Sequence, residues 1–170
     1  MYVPIPQPIL VCYDGSEGAR HAIETTAALF PGQRAIVFYA WSPTSLIVAA
    51  YGGMVALPAG DDDALQADAS KVAAEGCKLA NDAGLKAQPE ITEVTYQGTR
   101  HAIIDTAEQY DAKLVVLGTR GLSTFKSILL GSVSQDVAQH AHLPVLVVPP
   151  AVREETTTAS APAEHAAAMA

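Results

Sequence analysis

Positive charge is scarce in this chain. Its 170 residues hold 10 Lys and Arg against 18 Asp and Glu, a formal net charge of -8. No stretch gathers the basic side chains that a nucleic-acid backbone requires, so DNA and RNA are not expected partners. Cysteine is nearly absent. Cys12 falls in a predicted strand and Cys77 in a predicted helix, which suits two small buried hydrophobes rather than a disulfide framework or a redox pair. Long apolar runs are missing as well. Residues 35–60 carry no charge, but Pro43, Gly52, Gly53 and Pro58 interrupt them, and the unbroken pieces are too short to cross a bilayer. No membrane is expected as a partner. Residues 1–10 contain Pro4, Pro6 and Pro8 and no basic region ahead of an apolar core. That is not the pattern of a secretory leader, and a cytoplasmic protein is expected.

What is present alternates. Residues 9–13 form an apolar strand that stops at Asp14, Gly15 and Ser16, and Ala19, Ala22, Ile23, Thr26 and Phe30 then recur at helical spacing. Residues 35–41 are a second strand. Residues 42–60 read as an irregular apolar loop, placed either over a cleft, against a partner or on its own domain. Asp61, Asp62 and Asp63 suit the positive end of a helix whose face is marked by Leu65, Ala69, Val72, Gly76 and Leu79. A third strand over residues 88–96 has one partly polar side, as an edge strand would. A third helix with Ile103, Ala107 and Tyr110 in register leads to Leu114, and a fourth, with Val133, Val137 and Ala141 inward, leads to a last strand, 145–148. Five strands alternating with four helices make an α/β fold: an open, doubly wound, mostly parallel, Rossmann-like sheet with right-handed crossovers. Residues 1–150 form the domain. Residues 151–170, rich in Ala, Thr, Pro and Glu without an apolar period, are expected to be a disordered tail.

The chemistry concentrates after the fourth strand. Leu114, Val115, Val116 and Leu117 run directly into Gly118; Gly121 follows after two intervening residues, and Gly131 with Ser132 after nine more. Glycines let a backbone approach a ligand closely, and Gly131–Ser132 opens a helix whose first N–H groups face an anion. The spacing fits neither common fingerprint: Ser132 stands where a Walker loop has Lys, and the three glycines are too widely spread for a dinucleotide motif. A simple turn is an equally good reading of the glycines alone. Asp14 ends the first strand as Gly118 ends the fourth, so both border one crevice if those strands meet at the reversal of winding. Asp14 as an Asx turn or helix cap is the plainer alternative.

Taken together, Val11, Cys12, Tyr13, Asp14, Gly15 and Ser16 at the start, Gly98 ahead of Ile104 and Ala107, the complete glycine loop, and Pro144 to Val148 at the close resemble the universal stress protein family over residues 8–150. The resemblance implies strand order 3-2-1-4-5 and, because the loop is complete, an ATP-binding member acting as a nucleotide-dependent regulatory module in a stress response. By position, Asp14 would face the adenosine and Ala40 the adenine. Leu117, Gly118 and Gly121 would follow the ribose and first phosphate, and Gly131, Ser132, Val133 and Ser134 would hold the phosphates through N–H and hydroxyl groups. Asp14 could also meet a phosphate-bound Mg²⁺, which takes one or two carboxylates beside phosphate oxygens. The resemblance also implies a homodimer. In that strand order Val145–Val148 lies at a sheet edge with unpaired backbone groups, which favours pairing with a second copy.

No residue is assigned a catalytic role. None of the five histidines, His21, His101, His140, His142 and His165, has a Ser or Cys that the sequence places beside it. No residue stands out as positioning water for phosphoryl transfer. A slow ATPase or an autophosphorylating enzyme, with Ser123, Thr124 or Ser127 as acceptor, is the alternative within the same nucleotide reading. A dimeric scaffold that needs no nucleotide is the alternative outside it.

Overall fold

The structure, a computed structural model, describes residues 7–50, 62–119 and 131–151. The chain runs β1 (Ile9–Cys12), α1 (Glu17–Leu29), β2 (Arg34–Trp41), α2 (Thr44–Ala50), α3 (Asp62–Asp82), β3 (Lys86–Glu93), α4 (Thr99–Gln109), β4 (Leu114–Gly118), α5 (Ser132–His140) and β5 (Val145–Val148). The five strands form one sheet in the order β3-β2-β1-β4-β5, every pairing parallel. Parallel strands need crossovers, so helices cover both faces and the central strands read as unbroken apolar runs. In β1, Ile9, Leu10 and Val11 are fully buried, and in β4, Val115 and Val116 are.

Side-chain alternation along the strands divides the core in two. Ile9, Val11 and Tyr13 pack with Ala19, Ala22, Ile23 and Ala27 of α1 and Ala80 of α3. Leu10, Ile36, Phe38 and Leu117 pack on the opposite face with Ala102, Ile103 and Ala107 of α4 and Val137 of α5. On the first face Gly76 is required by contact rather than by backbone angle. A Cβ there would lie 2.5 Å from Cδ1 of Tyr13, so α3 can lie against Tyr13 only because it has no side chain at this position. The Tyr13 hydroxyl donates to Oε1 of Glu75 at 2.9 Å, and Arg20 of α1 pairs with the same carboxylate, tying β1, α1 and α3 together. Burial and this hydrogen bond push the Tyr13 phenol up to about 12. The single tryptophan, Trp41, closes β2 and is 9% exposed.

Each expected strand and helix appears, with four departures. Residues 44–50 of the stretch read as a loop form α2; Pro43 precedes it, and Asp62 Oδ1 accepts from both the N–H and the hydroxyl of Thr44 at 2.9 Å. Among the described residues the fold therefore has five helices. The buried face of α3 is Ala69, Ala73, Gly76 and Ala80, with Leu65, Val72 and Leu79 only flanking it, because small residues let the helix approach the sheet closely. The third strand spans Lys86–Glu93 rather than 88–96, since the chain turns where the Thr95 carbonyl accepts from Gly98 N–H at 2.9 Å. Val133 is 38% exposed rather than inward; Ser134 and Val137 are the buried residues of α5. The tail from 152 onward and the remainder of the expected loop, 51–60, lie outside the described residues.

Candidate functional site

The carboxyl ends of the five strands form one rim, and the registers fix which residues stand level on it. Cys12 pairs with Phe38, and Val11 pairs with Val116. Ladder bonds continue past the strand ends, from Tyr13 N–H to Phe38 O at 2.8 Å and from Thr119 N–H to Val148 O at 2.9 Å. Carrying the same registers onward sets Asp14 level with Ala40 on one side and with Thr119 on the other. Alternation continues too. Leu117 packs toward α4 and α5, whereas Gly118 faces α1, where a Cβ would lie 2.9 Å from the Gly18 carbonyl oxygen. Thr119 therefore returns to the α5 side. Ala40 packs against that same side. With neighbouring strands about 4.8 Å apart, the row Ala40, Asp14, Thr119 spans roughly 10 Å across three strands. It crosses β1 and β4 where the winding direction reverses, the usual ligand crevice of such a sheet.

The row ends at the start of α5. Gly131 is its N-cap, in extended conformation and without a side-chain hydrogen bond, and no acidic residue stands in its first turn. Gly131 N–H donates to the Thr119 carbonyl at 2.6 Å, and Gln135 N–H closes the first helical bond on the Gly131 carbonyl at 2.9 Å. Between them, the N–H groups of Ser132, Val133 and Ser134 have no partner among the described residues. Amides at a helix start carry the positive end of the helix dipole and bind anions. A Cβ on Gly131 would lie 2.8 Å from the Thr119 oxygen, so this close approach of β4 and α5 admits no side chain.

The residues singled out in the sequence divide by what they can offer. Asp14 is half-buried, and its Oδ1 accepts from Ser16 N–H at 3.0 Å, the Asx turn foreseen as the plainer reading; its other oxygen has no partner among the described residues. Leu117 is 4% exposed within the core, so it contributes main chain alone. Gly118 meets α1, and packing by itself accounts for its lack of a side chain. Ser132 is exposed, while Ser134 is 4% exposed and donates its hydroxyl to Gly131 O at 2.9 Å. It therefore turns its amide, not a hydroxyl proton, to the helix start. Gly121, together with Ser123, Thr124 and Ser127, lies outside the described residues.

Sequence reading missed Thr119. It is 6% exposed, and its Oγ1 is the buried side-chain polar atom without a hydrogen-bond partner among the described residues. Extending the two-residue alternation past Leu117 would have placed it on the α5 side. The other titratable groups nearby offer little chemistry. Burial, reinforced by Asp14, raises the Cys12 thiol far above its ordinary range, so it does not serve as a thiolate. His140 is engaged by Asp136 through Oδ1 at 3.2 Å and through its carbonyl at 2.8 Å, and Arg100 of α4 donates to that Oδ1 at 3.0 Å. No group of three His, Cys, Asp or Glu among the described residues could hold a metal ion unaided.

Comparison with known proteins agrees with this architecture. The family profile described as "Universal stress protein family" matches residues 6–149. The chain is 30% identical over 146 residues to universal stress protein YxiE of Bacillus subtilis, covering 82% of this chain and 97% of the relative. The solved universal stress protein from Archaeoglobus fulgidus has a TM-score of 0.62 at 22% identity over 85% of this chain and 94% of that one. A universal stress protein solved in complex with cAMP has a TM-score of 0.52 at 24% identity over 86% and 99%. No described helix is long and apolar enough to cross a membrane. Sheet order, rim and glycine-marked helix start thus meet in one assignment: the chain belongs to the universal stress protein family.

Proposed function

We propose that this protein binds an adenine nucleotide, ATP first among them, along the rim from Ala40 to the start of α5, and acts as a nucleotide-dependent regulatory or signalling module of the stress response. The observation that carries this reading is the α5 start: three amides without a partner among the described residues, standing at one end of a row about as long as a nucleoside. The base would rest on Ala40, the sugar would pass Asp14, and the phosphates would lie on the amides of Ser132, Val133 and Ser134. Gly121 belongs to the same proposal through its place in the glycine spacing. A structural neighbour complexed with cAMP supports an adenine nucleotide as the ligand class. A Mg²⁺ accompanying ATP would take most of its ligands from phosphate and water, with the free oxygen of Asp14 as the protein's share; the donor set among the described residues fits that modest role.

Binding rather than turnover is the proposed activity, because among the described residues no group on the rim is placed as a base. We also place a homodimer contact at β5, the last strand of the sheet, whose outer edge is unpaired among the described residues and whose Val145, Leu146 and Val147 are half-buried. The experiment is calorimetric titration of the purified chain with ATP, AMP and cAMP, repeated on Gly131→Val. ATP binding that the variant loses supports the proposal. Equal affinity in both proteins removes the α5 start from it, and a wild-type chain that binds none of the three overturns it.

A further inference from the structure

The α5 start alone would not identify a ligand contact, since α4 also begins at a glycine, Gly98, with no side-chain cap. What distinguishes α5 is the hydroxyl beside it. Thr119 hands its carbonyl to Gly131 N–H and its own N–H to Val148 O. Its main chain is therefore locked between β5 and the N-cap of α5. Its side chain, by strand alternation, stands on the α5 side, level with Asp14. The oxygen is covered and without a partner among the described residues, although the residue as a whole keeps 6% exposure. A buried hydroxyl without a partner is uncommon, because it forfeits its hydrogen bonds with water and gains none in return.

We propose that Thr119 is a side-chain ligand of the nucleotide, its hydroxyl donating to a phosphoryl oxygen that the amides of Ser132, Val133 and Ser134 hold. The inference deepens the nucleotide reading and rests on it. Phosphoryl oxygens accept hydrogen bonds and offer none, so the hydroxyl must be the donor. Thr rotates between staggered positions of its side chain, and a turn of about 120° carries the hydroxyl to the place of the methyl and the methyl to that of the Cβ hydrogen. The oxygen is covered while the residue keeps 6% exposure, so reaching a ligand calls for such a rotation, which leaves the locked backbone in place. Ser134 cannot substitute for it, because its proton is given to Gly131 O.

The test uses Thr119→Val, which keeps shape and branching but removes the donor, and Thr119→Ser, which keeps the donor. Each is titrated with ATP and with inorganic tripolyphosphate, and each is unfolded in urea without ligand. A charged acceptor losing one hydrogen bond predicts about tenfold weaker ATP binding by the Val variant and near-wild-type binding by the Ser variant. The Val variant should meanwhile be as stable as wild type or more so, since an unsatisfied hydroxyl has gone. A merely structural hydroxyl gives a less stable Val variant with unchanged affinity, and that result overturns the inference alone. Wild-type protein that binds tripolyphosphate in a Thr119-dependent way but shows no preference for ATP overturns the adenine reading and leaves the hydroxyl contact standing. Binding of neither ligand by wild-type protein overturns both.

Discussion

Two helices start on the same rim of the sheet, and they meet the cost of an unfinished first turn in opposite ways. At α1, Ser16 Oγ accepts from Ala19 N–H at 3.2 Å, Asp14 Oδ1 accepts from Ser16 N–H, and Glu17 places a carboxylate in the first turn. That start is capped by its own sequence. At α5 the cap is a glycine, the first turn has no acid, and the amides of residues 132–134 are unpartnered among the described residues. The difference separates a helix start that serves stability from one left open to an anion.

The most severe way to break this comparison is to close the gap between β4 and α1. Gly118→Val sets side-chain atoms against the Gly18 carbonyl and should cost at least about 1–3 kcal/mol of stability, read as a lower urea midpoint; an unchanged midpoint would show that α1 does not pack as described. Next comes Gly131→Ala, whose Cβ meets the Thr119 carbonyl. It should weaken ATP binding about tenfold or more, in keeping with at least one lost charge-assisted hydrogen bond, and isothermal titration checks it.

Ser16→Ala addresses the other helix. Loss of the cap should cost about 1 kcal/mol in denaturation while ATP affinity holds, and a parallel fall in affinity would mean that the two starts are not separate in function. Giving α5 what α1 already has is a finer test. Val133→Glu puts a carboxylate in the first turn at an exposed position and should stabilise the ligand-free protein by about 0.3–1 kcal/mol while weakening anion binding, seen as a higher melting temperature with a smaller ATP-induced rise.

The mildest test concerns the anchoring of α1. Tyr13 has its phenol raised to about 12 against an ordinary value near 10. An acid whose folded value is raised stabilises the fold fully below its unfolded value and loses that contribution as pH climbs through the folded one. Wild-type stability should therefore decline between about pH 10 and 12, and Tyr13→Phe should flatten that decline. Equal slopes would exclude the Tyr13–Glu75 bond as its source.

The fold was legible because its signals are strong and local. Apolar runs as uniform as Leu114 to Leu117 suit strands buried on both faces, and Gly131 followed by Ser132 marked the start of α5 to the residue. What escaped had physical reasons. The seven residues of α2 are too few to show a helical period and follow a proline. The α3 face was read from its larger residues, but Ala73 and Ala80 are what the sheet accepts at close range. At the rim the strand ends pointed to Asp14 and the family resemblance to Ala40, and the registers set them level. It passed over Thr119, whose interest lies in an unmet hydrogen bond, and such a deficit exists only once three-dimensional neighbours are known.

Trp41 closes β2 one residue beyond Ala40 and is nearly enclosed, and the chain has no second indole. Its emission therefore originates at a single point, one residue along the chain from the place proposed for the base and, by strand alternation, on the other face of the sheet. Ordinary fluorimetry on unlabelled protein can follow filling of that end of the rim as a change in intensity or colour, and stopped-flow mixing would time its arrival.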